Sequence, residues 1–166
     1  MDFSQFIKVD AIITDLQAKT KNEAIREMVE TLAKSAESHG VAEGDVEDVI
    51  EDVIAAIIHR EELGSTGIGN GVAVPHAKHS SMTNLVGAIA IAPDEGVDFC
   101  SLDSQPVKLF FLLVSPPDNP GDHLRALEHI TRQLKAEGFA ESLMDATTPE
   151  AVKEILDKAD AHTCNV

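Results

Sequence analysis

Two apolar runs constrain this chain more than any other feature. Leu85 to Ala92 reads LVGAIAIA, and Val107 to Val114 reads VKLFFLLV. A strand covered on one face alternates apolar with polar residues, so runs this continuous imply strands buried on both faces. Layers must therefore lie on both sides of the sheet, and the rest of the chain supplies helices. From Thr20 to His39, a Thr20/Glu23 capping box precedes Ile25, Met28, Val29, Leu32 and Ala36 at helical spacing, and Gly40 is a natural stop. From Asp45, the stripe Val46, Val49, Ile50, Val53, Ile54, Ile57, Ile58 predicts a second helix closed by Gly64. Its acids cluster early and His59 and Arg60 come late, the order a helix dipole favours.

A third helix is expected to be capped by Asp122, with Leu124, Leu127, Ile130 and Leu134 inward. Thr148-Pro149 predicts the N-cap and first position of a last helix that buries Val152, Ile155 and Leu156. Pro93 to Gly96 predicts a turn into a possible short strand at Val97 to Phe99. The fold class is α/β: a single domain over residues 1–166, with a mixed β-sheet flanked by helices on both faces. Short connections favour a mixed sheet over an all-parallel one.

Charge narrows the function. The formal net charge of -16, from 29 acids against 13 Lys and Arg, repels nucleic acid and anionic lipid. It repels phosphate as well, so any phosphate chemistry needs a local group of donors. No apolar run approaches the roughly 20 residues of a membrane span, and MDFSQFIKVD lacks the features of a secretory signal. The expectation is a cytoplasmic protein without direct membrane insertion. Cys100 and Cys164 form no disulfide framework or zinc spacing; Cys100 is expected to be half-buried and Cys164 to lie in the tail.

The segment Ser65 to Gly71, STGIGNG, runs into the short apolar stretch Val72-Ala-Val-Pro75 and then His76. It does not end as a P-loop, and its order of helix, loop, strand is wrong for a dinucleotide fingerprint. Two readings stay open: a turn requiring positive φ, or a row of unobstructed amides able to hold phosphate beside a reactive side chain. His76 has company in Arg60 upstream and His123 downstream, and imidazole is a competent nucleophile near neutral pH. His79 stands three residues beyond His76, but on a strand end with no third ligand nearby, so no metal site is expected. His39, His59, His129 and His162 are expected at the surface or at helix ends. The Gly-x-Ser-x-Gly elbow of serine hydrolases is absent.

Arg60 to His76, REELGSTGIGNGVAVPH, resembles the phosphorylation-site signature of enzyme IIA of the fructose–mannitol class in the bacterial phosphoenolpyruvate-dependent phosphotransferase system. The resemblance extends to Gly96-Val-Asp-Phe99, Gln105-Pro-Val107, the run to Val114, and His123-Leu124, covering a core of about residues 6–158. It implies that His76 takes a phosphoryl group from phospho-HPr, or its nitrogen-branch counterpart, and passes it to a cysteine of an enzyme IIB. Arg60 and His123 would flank the histidine. Thr66, Gly67, Gly69 and Gly71 would form a phosphate-binding loop, and no cofactor would be needed. The family divides between sugar uptake, which the motifs favour slightly, and a nitrogen-regulatory branch of phosphorylation-switched binding proteins.

Overall fold

The fold is built around β6 (Leu109–Ser115), every residue of which is buried. The structure is a computed structural model that describes residues 1–36, 46–93, 95–99 and 103–163. Side chains alternate across a strand, and on β6 both sets are apolar. Phe110, Leu112 and Val114 enter one core with Ile25, Met28 and Ile57; Leu109, Phe111 and Leu113 enter the other with Phe3, Ile130 and Val152. Double burial, read from the unbroken apolar run, is thus what the fold displays.

Elements follow in chain order from a 3-10 turn at Phe3–Gln5: β1 (Ile7–Ile13), α1 (Lys21–Ala36), α2 (Val46–Glu62), β2 (Gly67–Gly69), β3 (Val72–Ala73), β4 (His76–Lys78), β5 (Val86–Ile91), β6, α3 (Pro120–Leu134), α4 (Phe139–Asp145) and α5 (Pro149–Thr163). The sheet order is β1-β5-β6-β3-β2, with β4 also paired to β6. β5 runs antiparallel to β6, whereas β3 and β4 run parallel to it and β1 runs parallel to β5. The sheet is mixed, as the short connections predict. Helices α1 and α2 cover one face; the 3-10 turn, α3, α4 and α5 cover the other.

Local signals worked where a side chain meets a backbone end. Thr20 Oγ1 accepts from the Glu23 amide at 3.3 Å, and Glu23 returns to the Lys19 amide at 3.1 Å. Thr148 Oγ1 accepts from Ala151 N at 3.1 Å, as expected of the cap before Pro149. Val97 pairs antiparallel with Val107 as an isolated bridge after the Pro93–Gly96 turn.

Other expectations need correction. Helix α3 begins at Pro120, and its N-cap is Asn119, whose side chain accepts from Asp122 N. Asp122 sits in the first turn and holds Arg125 at 2.6 Å. The inward face of α3 carries His123, Ala126, His129 and Ile130, and Leu124 is 59% exposed. A bond from His123 to β6 turns the helix so that Leu124 faces out. His129 is buried, not superficial: its Nε2 donates to Asp160 Oδ1 at 3.1 Å, and the same carboxylate accepts from the Phe3 amide at 3.0 Å. Strand β1 and helix α4 carry no sequence expectation; β1 has three exposed residues in succession, Lys8 to Asp10, that obscure its pattern. His39, Gly40, Asp45, Cys100 and Cys164 lie outside the described residues.

One glycine is fixed by both conformation and space. Gly96 has φ +82°, and a Cβ there would stand 2.7 Å from the Val107 carbonyl oxygen. Strain of this backbone region and overpacking each cost about 1–3 kcal/mol. Gly96→Ala should therefore destabilise the fold by roughly 2 kcal/mol or more in urea titration; a loss below half a kcal/mol would contradict this packing.

Candidate active site

The segment between α2 and β4 is a hairpin. Strands β2 and β3 pair antiparallel, and Asn70 and Gly71 take φ +57° and +79° at its tip, the left-handed pair of a type I′ turn. The glycine-rich stretch thus satisfies the turn reading. Three of its amides are also engaged: Thr66 N donates to the Glu61 carboxylate at 3.2 Å, Gly67 N to Ser65 Oγ at 3.1 Å, and Asn70 N to Asp103 Oδ2 at 3.2 Å. Gly69 pairs with Val72, and the Gly71 carbonyl accepts from Lys108 and Leu109. Within the fold the hairpin fixes the chain that leads to His76: Val74 N donates to the Thr66 carbonyl at 3.1 Å.

Pro75 then interrupts the edge of the sheet. β3 pairs with β6 at Leu109 and Phe110, and β4 resumes at Leu113, with the Pro75 carbonyl accepting from Leu113 N. Proline lacks an N–H, so this break leaves no orphan donor. His76 starts β4 opposite Leu113, half-buried, and its Nδ1 lies 2.8 Å from the Val74 carbonyl oxygen. A carbonyl only accepts, so Nδ1 carries the proton. In the neutral ring Nε2 then holds the lone pair.

His123 approaches from the other side. Ser115 ends β6, fully buried, and its hydroxyl lies 2.6 Å from His123 Nδ1 in the first turn of α3. The His123 and His76 rings stand 5.4 Å apart at 57°. Burial, then His76, then Lys78 push the His123 pKa down to about 4, so this imidazole is neutral at physiological pH. The Ser115 hydroxyl can donate to Nδ1 or accept from it, so this bond fixes the place of the ring beside His76 and leaves either tautomer open to it. His76 is likewise held below its ordinary value of 6.5, by burial first, with Val74 raising it, Arg60 lowering it, Glu61 raising it and Lys78 lowering it.

Arg60 lies in the last turn of α2 and is close enough to act on the His76 charge. Its Nη1 donates to the Gly64 carbonyl at 2.9 Å, which tethers the guanidinium at the mouth of the hairpin. The structure therefore brings His76, His123, Arg60 and Thr66 into one region. Gly67, Gly69 and Gly71 form the hairpin beyond them. Sequence reading missed Val74, Ser115, Lys78 and Glu61. Lys78 was legible as the cation two residues beyond His76 on the same strand; Ser115 had no signal, because it meets His123 only through the packing of α3 on β6. His79 points elsewhere: its Nδ1 accepts from Ser81 N at 3.1 Å.

A neutral histidine with one nitrogen proton-tied, a second neutral histidine beside it and a tethered guanidinium suit reversible capture of an anionic, electrophilic group. The family described as phosphoenolpyruvate-dependent sugar phosphotransferase system, EIIA 2, matches residues 5–159. A nitrogen regulatory protein of Bradyrhizobium diazoefficiens is 35% identical over 94% of this chain and 95% of its own length. The fructose-specific EIIABC component of Bacillus subtilis is 32% identical over 96% of this chain, which spans only 24% of that relative. The crystal structure of nitrogen regulatory protein IIA-Ntr from Neisseria meningitidis superposes with TM-score 0.77 and 30% identity, covering 92% of this chain and 97% of that one. This chain belongs to the EIIA 2 family of the phosphoenolpyruvate-dependent sugar phosphotransferase system.

Proposed function

We propose that this protein is a phosphocarrier in which His76 Nε2 accepts a phosphoryl group from phospho-HPr, or its nitrogen-branch counterpart, and passes it to a cysteine of an enzyme IIB, in fructose- or mannitol-type sugar uptake. The observation that carries this reading is the Nδ1 contact with the Val74 carbonyl, which leaves the Nε2 lone pair of a neutral ring for attack. In the first transfer the N–P bond to the donor histidine breaks as the bond to His76 Nε2 forms, and the donor imidazole leaves. In the second, a thiolate attacks phosphorus and His76 is the leaving group. The group arrives already activated, so positioning and charge stabilisation are what the site has to supply.

The neighbouring residues divide that work. Arg60 offsets phosphoryl charge that a protein of net charge -16 otherwise repels. His123 donates from Nε2 to a phosphoryl oxygen. Thr66, in the hairpin with Gly67, Gly69 and Gly71, fixes the approach to His76. Exposed apolar side chains on the same segments suit protein partners: Leu63 after Arg60, Ile68 in β2 and Leu124 after His123 are 74%, 51% and 59% exposed.

A second reading is favoured by the nitrogen regulatory relative, which aligns along nearly the whole of both chains. In it, phosphorylation of the same His76 switches binding to regulatory proteins. The two readings share the first transfer and part at the second.

With phosphoenolpyruvate, enzyme I and HPr, the wild type should gain acid-labile, base-stable label, and His76→Ala should gain none; equal labelling of the variant would place the phosphoryl group elsewhere. Arg60→Lys keeps charge without the planar fork and should slow acceptance by roughly 10–100-fold. His123→Ala should still accept label, while onward transfer to a IIB slows more than acceptance does. Rapid-quench rates that are unchanged in both variants would remove Arg60 and His123 from the chemistry.

The pH dependence has a fixed sign. Protonation of His76 at Nε2 removes the attacking lone pair, and its pKa lies below 6.5. Acceptance should therefore fall in acid with a midpoint below that of a free imidazole. In an NMR titration the His123 midpoint should lie near 4. Both folded values are depressed, so the unfolded chain binds these protons first. Stability present above pH 6.5 is lost as pH falls toward 4. A His123 midpoint at or above 6.5 would contradict its buried setting.

A further inference from the structure

Glu61 is buried where a carboxylate is costly twice over. Its side chain is only 2% exposed, and desolvating a carboxylate costs several kcal/mol unless it is well partnered. It also sits in the last turn of α2, where the helix dipole disfavours negative charge. Its partners are specific. Both carboxylate oxygens lie 3.2 Å from the Thr66 amide, Oε1 accepts from the Thr66 hydroxyl, and Lys21 Nζ stands 3.4 Å from Oε2. Lys21 is itself placed over the Phe99 ring at 4.8 Å.

From Thr66 the bonding continues to the nucleophile. The Thr66 carbonyl accepts from Val74 N at 3.1 Å, and the Val74 carbonyl oxygen lies 2.8 Å from His76 Nδ1. Three links thus join a buried carboxylate to the nitrogen that must stay protonated if Nε2 is to attack. Neither α2 nor the hairpin needs a buried anion for its own formation: the turn is set by Asn70 and Gly71, and α2 would be better without the charge.

We infer that Glu61 is a positioning residue that acts through Thr66 and Val74 to hold His76 in the Nδ1–H tautomer. Resting on the reading of His76 as the acceptor, this adds a residue that touches neither phosphorus nor His76. What Glu61 provides is an acceptor of the right reach; its charge is balanced by Lys21. If Thr66 is released, the Val74 carbonyl shifts away from Nδ1, the proton distributes between the two ring nitrogens, and the fraction of rings able to attack from Nε2 falls.

The test compares Glu61→Gln, which keeps an acceptor at the same reach, with Glu61→Asp, which keeps the charge one methylene short. In 15N-labelled protein at pH 7.5, imidazole nitrogen shifts report the His76 tautomer without any phosphoryl transfer. Wild type and Glu61→Gln should show Nδ1 protonated and Nε2 not, and Glu61→Gln should accept phosphoryl from phospho-HPr within about threefold of wild type. Glu61→Asp should show a mixture of tautomers and accept about tenfold more slowly or worse. Thr66→Val, which removes only the hydroxyl at nearly constant volume, is the second variant should Glu61→Asp not fold, and should populate the other tautomer measurably. A wild-type tautomer in both Glu61→Asp and Thr66→Val overturns the inference. So does the reverse order, with Asp active and Gln not, which would make charge the agent. If wild type takes up no phosphoryl group at all, the phosphocarrier reading falls, while the tautomer comparison still judges Glu61.

Discussion

Both histidines of the site hang from β6. Its fully apolar residues bind the two cores, and its ladder to β5 is the sheet's longest pairing. Its other edge receives first β3 and then β4, on either side of a proline that cannot continue the ladder. That interruption is where Val74 turns its carbonyl toward His76 Nδ1. The last residue of the same strand, Ser115, meets His123. One buried strand thus sets both histidines, from its edge and from its end, and neither can shift without disturbing a packed core.

Electrostatics then makes that geometry useful. In a chain of net charge -16, the site collects Arg60 and Lys78 around two imidazoles that burial keeps neutral. A neutral nucleophile with nearby cations is what capture of a phosphoryl group requires, and a protonated one would be inert. The exposed Leu63, Ile68 and Leu124 give the same region an apolar rim.

Much of this was legible in residue patterns because it rests on local rules. The unbroken run Val107 to Val114 predicts a doubly buried strand, and Thr20 and Thr148 are caps by side-chain chemistry. The Arg60-to-His76 segment carries the family signature outright. What the pattern hid depends on packing between distant segments. Leu124 fits an inward helical stripe equally well until the bond between His123 and Ser115 sets the rotation of α3. His129 reads as an ordinary helix-surface residue until Asp160, 31 residues on, lies beside it. Glu61 reads as one more acid in an acidic helix, and only the hairpin's return to Thr66 reveals its burial. The glycine-rich stretch left a positive-φ turn and a row of free amides both open; in the fold Asn70 and Gly71 make the turn, and the Thr66, Gly67 and Asn70 amides are engaged.

The attacking atom we propose is Nε2 of His76, because Nδ1 is tied to the Val74 carbonyl. It is tested most directly by 15N and 31P NMR of the phosphorylated protein, which identifies the imidazole nitrogen bonded to phosphorus. A single phosphohistidine at His76 is expected, with phosphorus on Nε2 and a proton on Nδ1. Phosphorus on Nδ1 of His76, or on His123, would contradict it.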